Sequence, residues 1–369
     1  MGNRCHLQEC LMLTLKFIAM PAPIEGLVQT AMKPTINDIA RIAGVSKKTV
    51  SRVINDSPSL TQETREKVRA VITELGYVPN PQARALALGR NFLIGLVHDN
   101  PNAQMILNMQ QGILEGLRGT EFAMVVQPVN RNSPTLVEDM REFIIRQRLY
   151  GIVILPPISE NNAVAQMCVE VGCRYVRMGS AKLDENKHIV ASNDRDAVRD
   201  ATRFLIEQGH KHIAIVTGPQ GFRSATERLA GFEDALAEAG IKLPRSHRAE
   251  GEYTFESGLA ATEKLLDLSP RPTAIFASND EMAAAVLYAA RLRGISVPDQ
   301  LSIVGFDDTP IASRVWPPLT TVRWPIVAMG RSAAHKLIAA AIDEIDPENE
   351  PSEFLSTLIR RGSVAPPKQ

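Results

Sequence analysis

The 369-residue sequence is 44% hydrophobic and 22% charged, enough apolar material for a sizeable core, so neither a disordered chain nor a membrane-embedded one fits it. Its formal charge is zero, with 41 basic and 41 acidic residues, but the signs are unevenly spread. From Lys33 to Arg90 ten Lys/Arg stand against five Asp/Glu, a net +5, whereas the chain from Asn91 onward is net −5. A basic head on an acidic body points to a nucleic-acid module joined to a regulatory one.

In chain order, residues 1–32 come first. The stretch "CLMLTLKFIAMPAP" has some character of a secretion signal, with Arg4 ahead of an apolar run, but Lys16 interrupts it. These residues read as an unstructured extension or a misassigned start, with Met32 as the expected start. The four cysteines are Cys5, Cys10, Cys168 and Cys173. The last two have four residues between them and no second Cys/His pair at useful spacing, so they read as buried or idle thiols in a reducing cytoplasm, and no metal is expected.

Residues 36–43 read as a short helix with Asn37 as N-cap and Ile39, Ala40 and Ile42 facing inward. Gly44 ends it, Ser46 caps a second helix to about Ile54, and Thr61 or Ser59 caps a third that ends before Gly76. Ala40, Gly44 and Val50 have the spacing of a helix-turn-helix: a small residue where two helices approach, a glycine for the turn, and a branched residue locking the second helix. Lys47 and Lys48 then lie in the first turn of a recognition helix, with Arg52 one turn on, and all three are long enough to reach base edges in a major groove. Thr35, Ser46, Thr49, Ser51 and Asn55 are short donors suited to phosphate oxygens. Beyond them, "QARALAL" is rich in helix formers but too short to be stable alone.

From Phe92 the pattern becomes apolar strand, loop, amphipathic helix. Strands are expected at 93–97, 122–127, 151–155, 174–178 and 188–192, then at 212–218, 273–278 and 301–306. Helices alternate with them, including 222–239, 254–267 and 279–293. Continuous apolar strands between helices imply α/β architecture with doubly wound parallel sheets covered on both faces, in two lobes. Ligands of such sheets sit beyond the carboxyl ends of strands, which selects Asp99, Asn100, Asn102, Arg228, Asn279, Asp280 and Asp307. Asp280 and Asp308 are also suited to capping helices or turns. The tail "GSVAPPKQ" shows no leucine heptad, which favours a dimer over a tetramer.

With "TINDIARIAGVSKKTVSRVIN", "TREKVRAVITELGYVPNPQARAL", "GHKHIAIVTGP", "TERLAGF", "SNDEMA", "SIVGFDDT" and "PPLTTV" in this order, the chain resembles the lactose-repressor/galactose-repressor (LacI/GalR) family of bacterial transcription regulators. The resemblance implies a helix-turn-helix domain at 33–78, a hinge helix at 79–90, and an effector-binding and dimerisation domain at 91–369. That last domain divides into a lobe of about 91–190 plus 325–353 and a lobe of about 191–322 plus the C-terminal strand. It implies a cytoplasmic, nucleoid-associated homodimer, most simply a repressor of carbohydrate-utilisation genes. Its partners are double-stranded operator DNA and a small sugar-like effector, with no membrane, no cofactor and no catalysis. Lys47, Lys48 and Arg52 fall on the family's base-reading positions. Leu86 matches its minor-groove wedge, and Ala83 is small where paired hinges touch. Arg228, Asn279 and Asp307 match its effector cleft, as does Trp324, which either stacks on a sugar ring or packs at the hinge; Arg177 and Asp196 align near it. Where many relatives carry aromatic residues after the first strand of the lobes, this chain has Gln104 and Met105.

Two other classes fit the sequence less well. A nucleotide-dependent enzyme lacks support, because no GxGxxG follows the first strand, "GPQG" is not a P-loop, and there is no GxSxG elbow. "GHKH" places His210 and His212 at a helix end without a third metal ligand. A periplasmic sugar receptor would share the lobes but not the basic head.

Overall fold

The computed structural model describes residues 34–54, 57, 59–77, 91–342, 345–346 and 349–368. They form two compact units, one before residue 81 and one after it. Asn55, the expected hinge helix with Ala83 and Leu86, and the segment 1–32 lie outside the described residues.

The first unit holds three helices, α1 (Ile36–Ile42), α2 (Lys47–Ile54) and α3 (Gln62–Glu74), around a core of Ile39, Ala40, Val50, Val53, Val68 and Val71. Asn37, expected as the cap of α1, lies inside its first turn. Thr35 takes that place, because the Asp38 carboxylate accepts from the Thr35 amide at 3.0 Å and from its hydroxyl at 2.7 Å. Gly44 turns the chain at φ 63°, a conformation that favours glycine, and Ser46 Oγ accepts from the Thr49 amide at 3.1 Å to start α2. Thr61, not Ser59, caps α3.

The second unit runs β1 (Leu93–His98), α4 (Ala103–Gly116), β2 (Ala123–Pro128), α5 (Leu136–Gln147), β3 (Gly151–Ile154), α6 (Asn162–Glu170), β4 (Arg174–Gly179) and β5 (Ile189–Ser192) in its first lobe. It continues through α7 (Asp194–Glu207), β6 (Ile213–Thr217), α8 (Arg223–Glu238), β7 (Arg248–Glu250), α9 (Phe255–Leu266), β8 (Ala274–Ala277), α10 (Asp280–Leu292), β9 (Ser302–Asp307), α11 (Pro310–Arg314) and β10 (Thr320–Arg323). Then α12 (Ile326–Ile338) returns to the first lobe, β11 (Glu353–Phe354) joins its sheet, and β12 (Thr357–Ile359) joins the second. The sheets have the orders β11-β5-β4-β3-β1-β2 and β12-β10-β9-β8-β6-β7, and every pairing is parallel except β10 with β12. Each sheet has apolar clusters on both faces, which is why its strands read as continuous apolar runs.

The chain therefore crosses between lobes three times, after β5, after β10 and between β11 and β12. Asn193 ties two crossings together: its side chain accepts from the Ser356 amide at 2.8 Å and its own amide donates to the Phe354 carbonyl at 3.3 Å.

Helices α7 and α8 pack closely because Gly231 has no side chain; a Cβ there would lie 2.0 Å from the Arg195 carbonyl oxygen. Gly231→Ala is expected to push these backbones apart and cost about 1–3 kcal/mol, a fall of several degrees in melting temperature. A thermal melt equal to that of the parent protein would contradict this packing.

Candidate ligand cleft and nucleic-acid interface

In both sheets the strand order reverses beside the first strand of the lobe, at β1/β3 and at β6/β8, and the carboxyl ends of these strands face one cleft. Its walls include Asn100, Asn102 and Met105 after β1, Asp194 at the start of α7, Ser224 and Arg228 on α8, Tyr253 after β7, Asn279 after β8, Asp307 ending β9, and Trp324 at the second crossing.

Arg228 is the centre of the site. Its side chain is 5% exposed, Nε donates to Asp194 at 2.8 Å, Nη1 donates to the Ser278 carbonyl at 2.5 Å, and the guanidinium lies 3.6 Å from the Phe306 ring centroid. Burial works against its charge, but Asp194, Tyr253 and Asp307 outweigh that and raise its pKa. Asp194 is itself held by the Ser192 hydroxyl.

Asp307 sits 4.0 Å from Arg228 Nη2 and accepts from Asn102 Nδ2 at 3.2 Å, so it touches both lobes. Burial drives its carboxyl well above the usual range, against the pull of Arg228. Its φ of 108°, and the 55° of Asp308, are conformations that non-glycine residues rarely adopt, costing about 1–3 kcal/mol each. The surroundings enforce them. Asp280 accepts from the Thr309 amide at 2.7 Å and from the Thr321 hydroxyl at 2.6 Å, while Asp308 pairs with Arg323 and Arg361. Burial pushes the Asp280 carboxyl up to about 7 despite these bonds. Asp280 thus braces the loop after β9, and the capping of α10 falls to Asn279, whose Oδ1 accepts from the Met282 amide.

The structure brings together Asn100, Asn102, Arg228, Asn279, Asp307 and Trp324 of the expected residues. Trp324 packs against the cores of both lobes and also lines the cavity. Its buried Nε1 has no hydrogen-bond partner among the described residues. Asp99 does not line this cavity. Its carboxylate accepts from the Arg131 amide at 2.9 Å, and it lines a neighbouring recess with Arg131 and Phe222. Arg177 and Asp196 are also elsewhere: Arg177 is buried in the first lobe, bonded to Ser159, Asn162 and Asp184, and Asp196 pairs with Arg199 on the surface of α7.

Sequence reasoning missed Asp194 and Tyr253. Asp194 follows β5 by two residues, so the rule applied to the other strands would have found it. Tyr253 follows a three-residue strand, Arg-Ala-Glu, that has no apolar run to announce it.

The cavity is small, about 30 Å³, roughly the space of one water, and partly open to solvent. Three contacts close it from lobe to lobe: Asn102 with Asp307, Glu160 with the Arg223 amide, and the Arg131 guanidinium 4.5 Å above the Phe222 ring centroid. A sugar-sized molecule enters only if the lobes part.

In the other unit, Lys47, Lys48 and Arg52 are exposed on α2, whose opposite face buries Val50 and Val53. Thr35 is engaged with Asp38, and Ser46 with Thr49, in starting their helices. Cys168 and Cys173 are buried, and burial pushes both thiols up to about 12, leaving them protonated and poor ligands. His210 instead fastens the C-terminal segment, through Thr273, Ser302 and the Ala365 carbonyl.

Residues 35–80 match the family of bacterial regulatory proteins of lacI type, and residues 202–364 match a periplasmic binding protein-like domain. The HTH-type transcriptional regulator CelR of Thermobifida fusca is 35% identical over 316 residues, covering 83% of this chain and 91% of that one. The chain belongs to the LacI family. Among other LacI-family proteins, the ribose operon repressor of Escherichia coli (strain K12) is 31% identical, covering 89% of this chain and 99% of its own. The lac repressor dimer, solved bound to operator and the anti-inducer ONPF, superposes with a TM-score of 0.76 at 27% identity, covering 90% of this chain and 99% of that one. A CelR–cellobiose complex gives 0.65 at 32% identity, covering 89% and 99%. The α/β fold with an N-terminal helix-turn-helix is thus that of the LacI family, and the chain is a DNA-binding transcriptional regulator. Among the described residues no helix is long and apolar enough to cross a membrane.

Proposed function

We propose that the chain is a cytoplasmic repressor of carbohydrate-utilisation genes, a homodimer whose grip on a near-palindromic operator is set by a neutral sugar held around Arg228. It binds and does no catalysis. Lys47, Lys48 and Arg52 of α2 read base edges, with Thr35, Ser46, Thr49, Ser51 and Asn55 at phosphates, while Ala83 and Leu86 serve the hinge in the minor groove. Asn102, Arg228, Asn279, Asp307 and Trp324 hold the effector, joined by Asp194 and Tyr253; Asp99 stands outside the cavity.

The observation that carries the effector reading is the buried pairing of Arg228 with Asp194 beside Asp307, in a cavity also lined by Trp324, whose buried indole N–H has no hydrogen-bond partner among the described residues. Paired donors and acceptors of this kind clamp vicinal hydroxyls. Opening the lobes to admit a sugar changes how they sit on each other, which is the coupling a regulator needs.

Among the described residues lining the cavity Arg228 is the one cation, and Asp194 already balances its charge. An anionic sugar would be desolvated without a partner, a cost of several kcal/mol. Isothermal titration with neutral hexoses and disaccharides, beside their uronate and 6-phosphate counterparts, is therefore expected to show the neutral sugars binding at least about 100-fold more tightly. Operator titrations by fluorescence anisotropy, with and without the sugar that binds, complete the test. A dimer whose operator affinity is the same with and without every sugar in the panel would overturn the proposal.

A further inference from the structure

Helix α8 carries Ser224 and Arg228 to the cleft, and its own sequence gives it a poor start. The residue at its N-cap is Phe222, which has no side-chain acceptor, and its first turn holds no acidic residue. The missing acceptor comes from the other lobe. Glu160, in the 3₁₀ turn Ile158–Glu160 after β3, places Oε1 at 3.1 Å and Oε2 at 3.2 Å from the Arg223 amide. Both oxygens address one free amide at the positive end of a 16-residue helix, across the mouth of the cleft.

We propose that Glu160 is a positioning residue that latches the lobes by capping α8 from the opposite side. The contact exists only while the lobes are together, so parting them uncaps the helix that presents Arg228. The resting opening of the cleft is thereby tied to one carboxylate that does not line the cavity. Burial holds the Glu160 carboxyl above its ordinary range, against the opposing pull of the Arg223 amide and of the two cations that face it, Arg223 at the start of α8 and Arg177 of β4.

The latch is testable without any effector. In a Trp316→Phe background of the full chain, Trp324 is the single tryptophan, and its quenching by acrylamide reports cleft opening. Glu160→Ala is expected to raise the open population about tenfold, the factor a typical cap sets, with increased quenching and faster hydrogen exchange at the Arg223 amide. Glu160→Gln, which keeps one accepting oxygen, should give a smaller rise. Glu142→Gln, an exposed acid elsewhere in the same lobe, should give none. Quenching and exchange at parental levels in both Glu160 variants would overturn the latch, even if the melting temperature fell, because a merely structural residue would do that alone. This inference rests on the cleft being the effector site only for its consequence in regulation. A chain that ignores all sugars yet opens when Glu160 is removed would retain the latch and lose the effector reading.

Discussion

Arg228→Ala is expected to abolish the effect of sugar on operator affinity while leaving operator binding itself in place. Among the described residues lining the cleft the guanidinium supplies the only charged donors, and losing charge-assisted hydrogen bonds to a bound sugar weakens binding by about 100-fold or more. The operator-binding head has its own core in Val50, Val53 and Val68 and contains none of the residues involved. The substitution also strands Asp194, which is fully buried, and leaves Asp307 without its neighbouring cation. Removing one partner of such a pair costs about 3–5 kcal/mol, so the melting transition of the lobes should fall markedly. Two companions separate folding from binding. In Asp194→Asn with Arg228→Met no charge is stranded between them, so much of the thermal loss should be recovered but not the sugar response. Arg228→Lys keeps a charge but cannot bond Asp194 and the Ser278 carbonyl in one planar fork, so the response should again be lost. Wild-type sugar titrations with Arg228→Ala would remove the cleft from consideration as the effector site.

The parts of this molecule legible in its sequence are those where one local rule decides the outcome. Short continuous apolar runs alternating with amphipathic helices, such as those in Leu93–His98 and Ala274–Ala277, read as strands buried on both faces, and the residue after such a strand is placed at the sheet edge by topology alone. Asn279 and Asp307 follow that rule, whereas Arg228 lies inside α8 and is singled out by the family resemblance. The parts that were not legible depend on contacts distant in sequence. Asp99 stands after β1 as Asn102 does, yet its carboxylate is claimed by the Arg131 amide, a partner 32 residues away that no spacing rule reveals. Arg177 ends up buried in its own lobe because Ser159, Asn162 and Asp184 surround it. Tyr253 enters the cleft from a strand of three residues, too short to carry a period. In the head, Asn37 and Thr35 are both acceptable caps by composition, and only Asp38, bonding back to the Thr35 amide and hydroxyl, decides between them.

The largest effect on DNA should come from α2. Replacing Lys47, Lys48 and Arg52 together by alanine is expected to reduce operator affinity by at least about 10³-fold, because each lost base contact costs about 1–3 kcal/mol. The fold should tolerate the change: all three side chains are exposed, Val50 and Val53 still hold the helix, and alanine is the best helix former. Single substitutions then sort their roles. If Arg52 reads a base edge, Arg52→Ala lowers affinity for the operator about tenfold to a hundredfold, relaxes specificity at one position, and changes affinity for random duplex far less. If instead it only neutralises a phosphate, binding weakens evenly across sequences and the dependence on salt becomes shallower by about one unit of log–log slope. For the intact dimer, neutralising about six phosphates predicts a loss of roughly 10³-fold in affinity between low and moderate salt. A triple variant that binds operator with parental affinity and salt slope would show that the positive head meets DNA through some other face, and the assignment of α2 as the reading helix would fall with it.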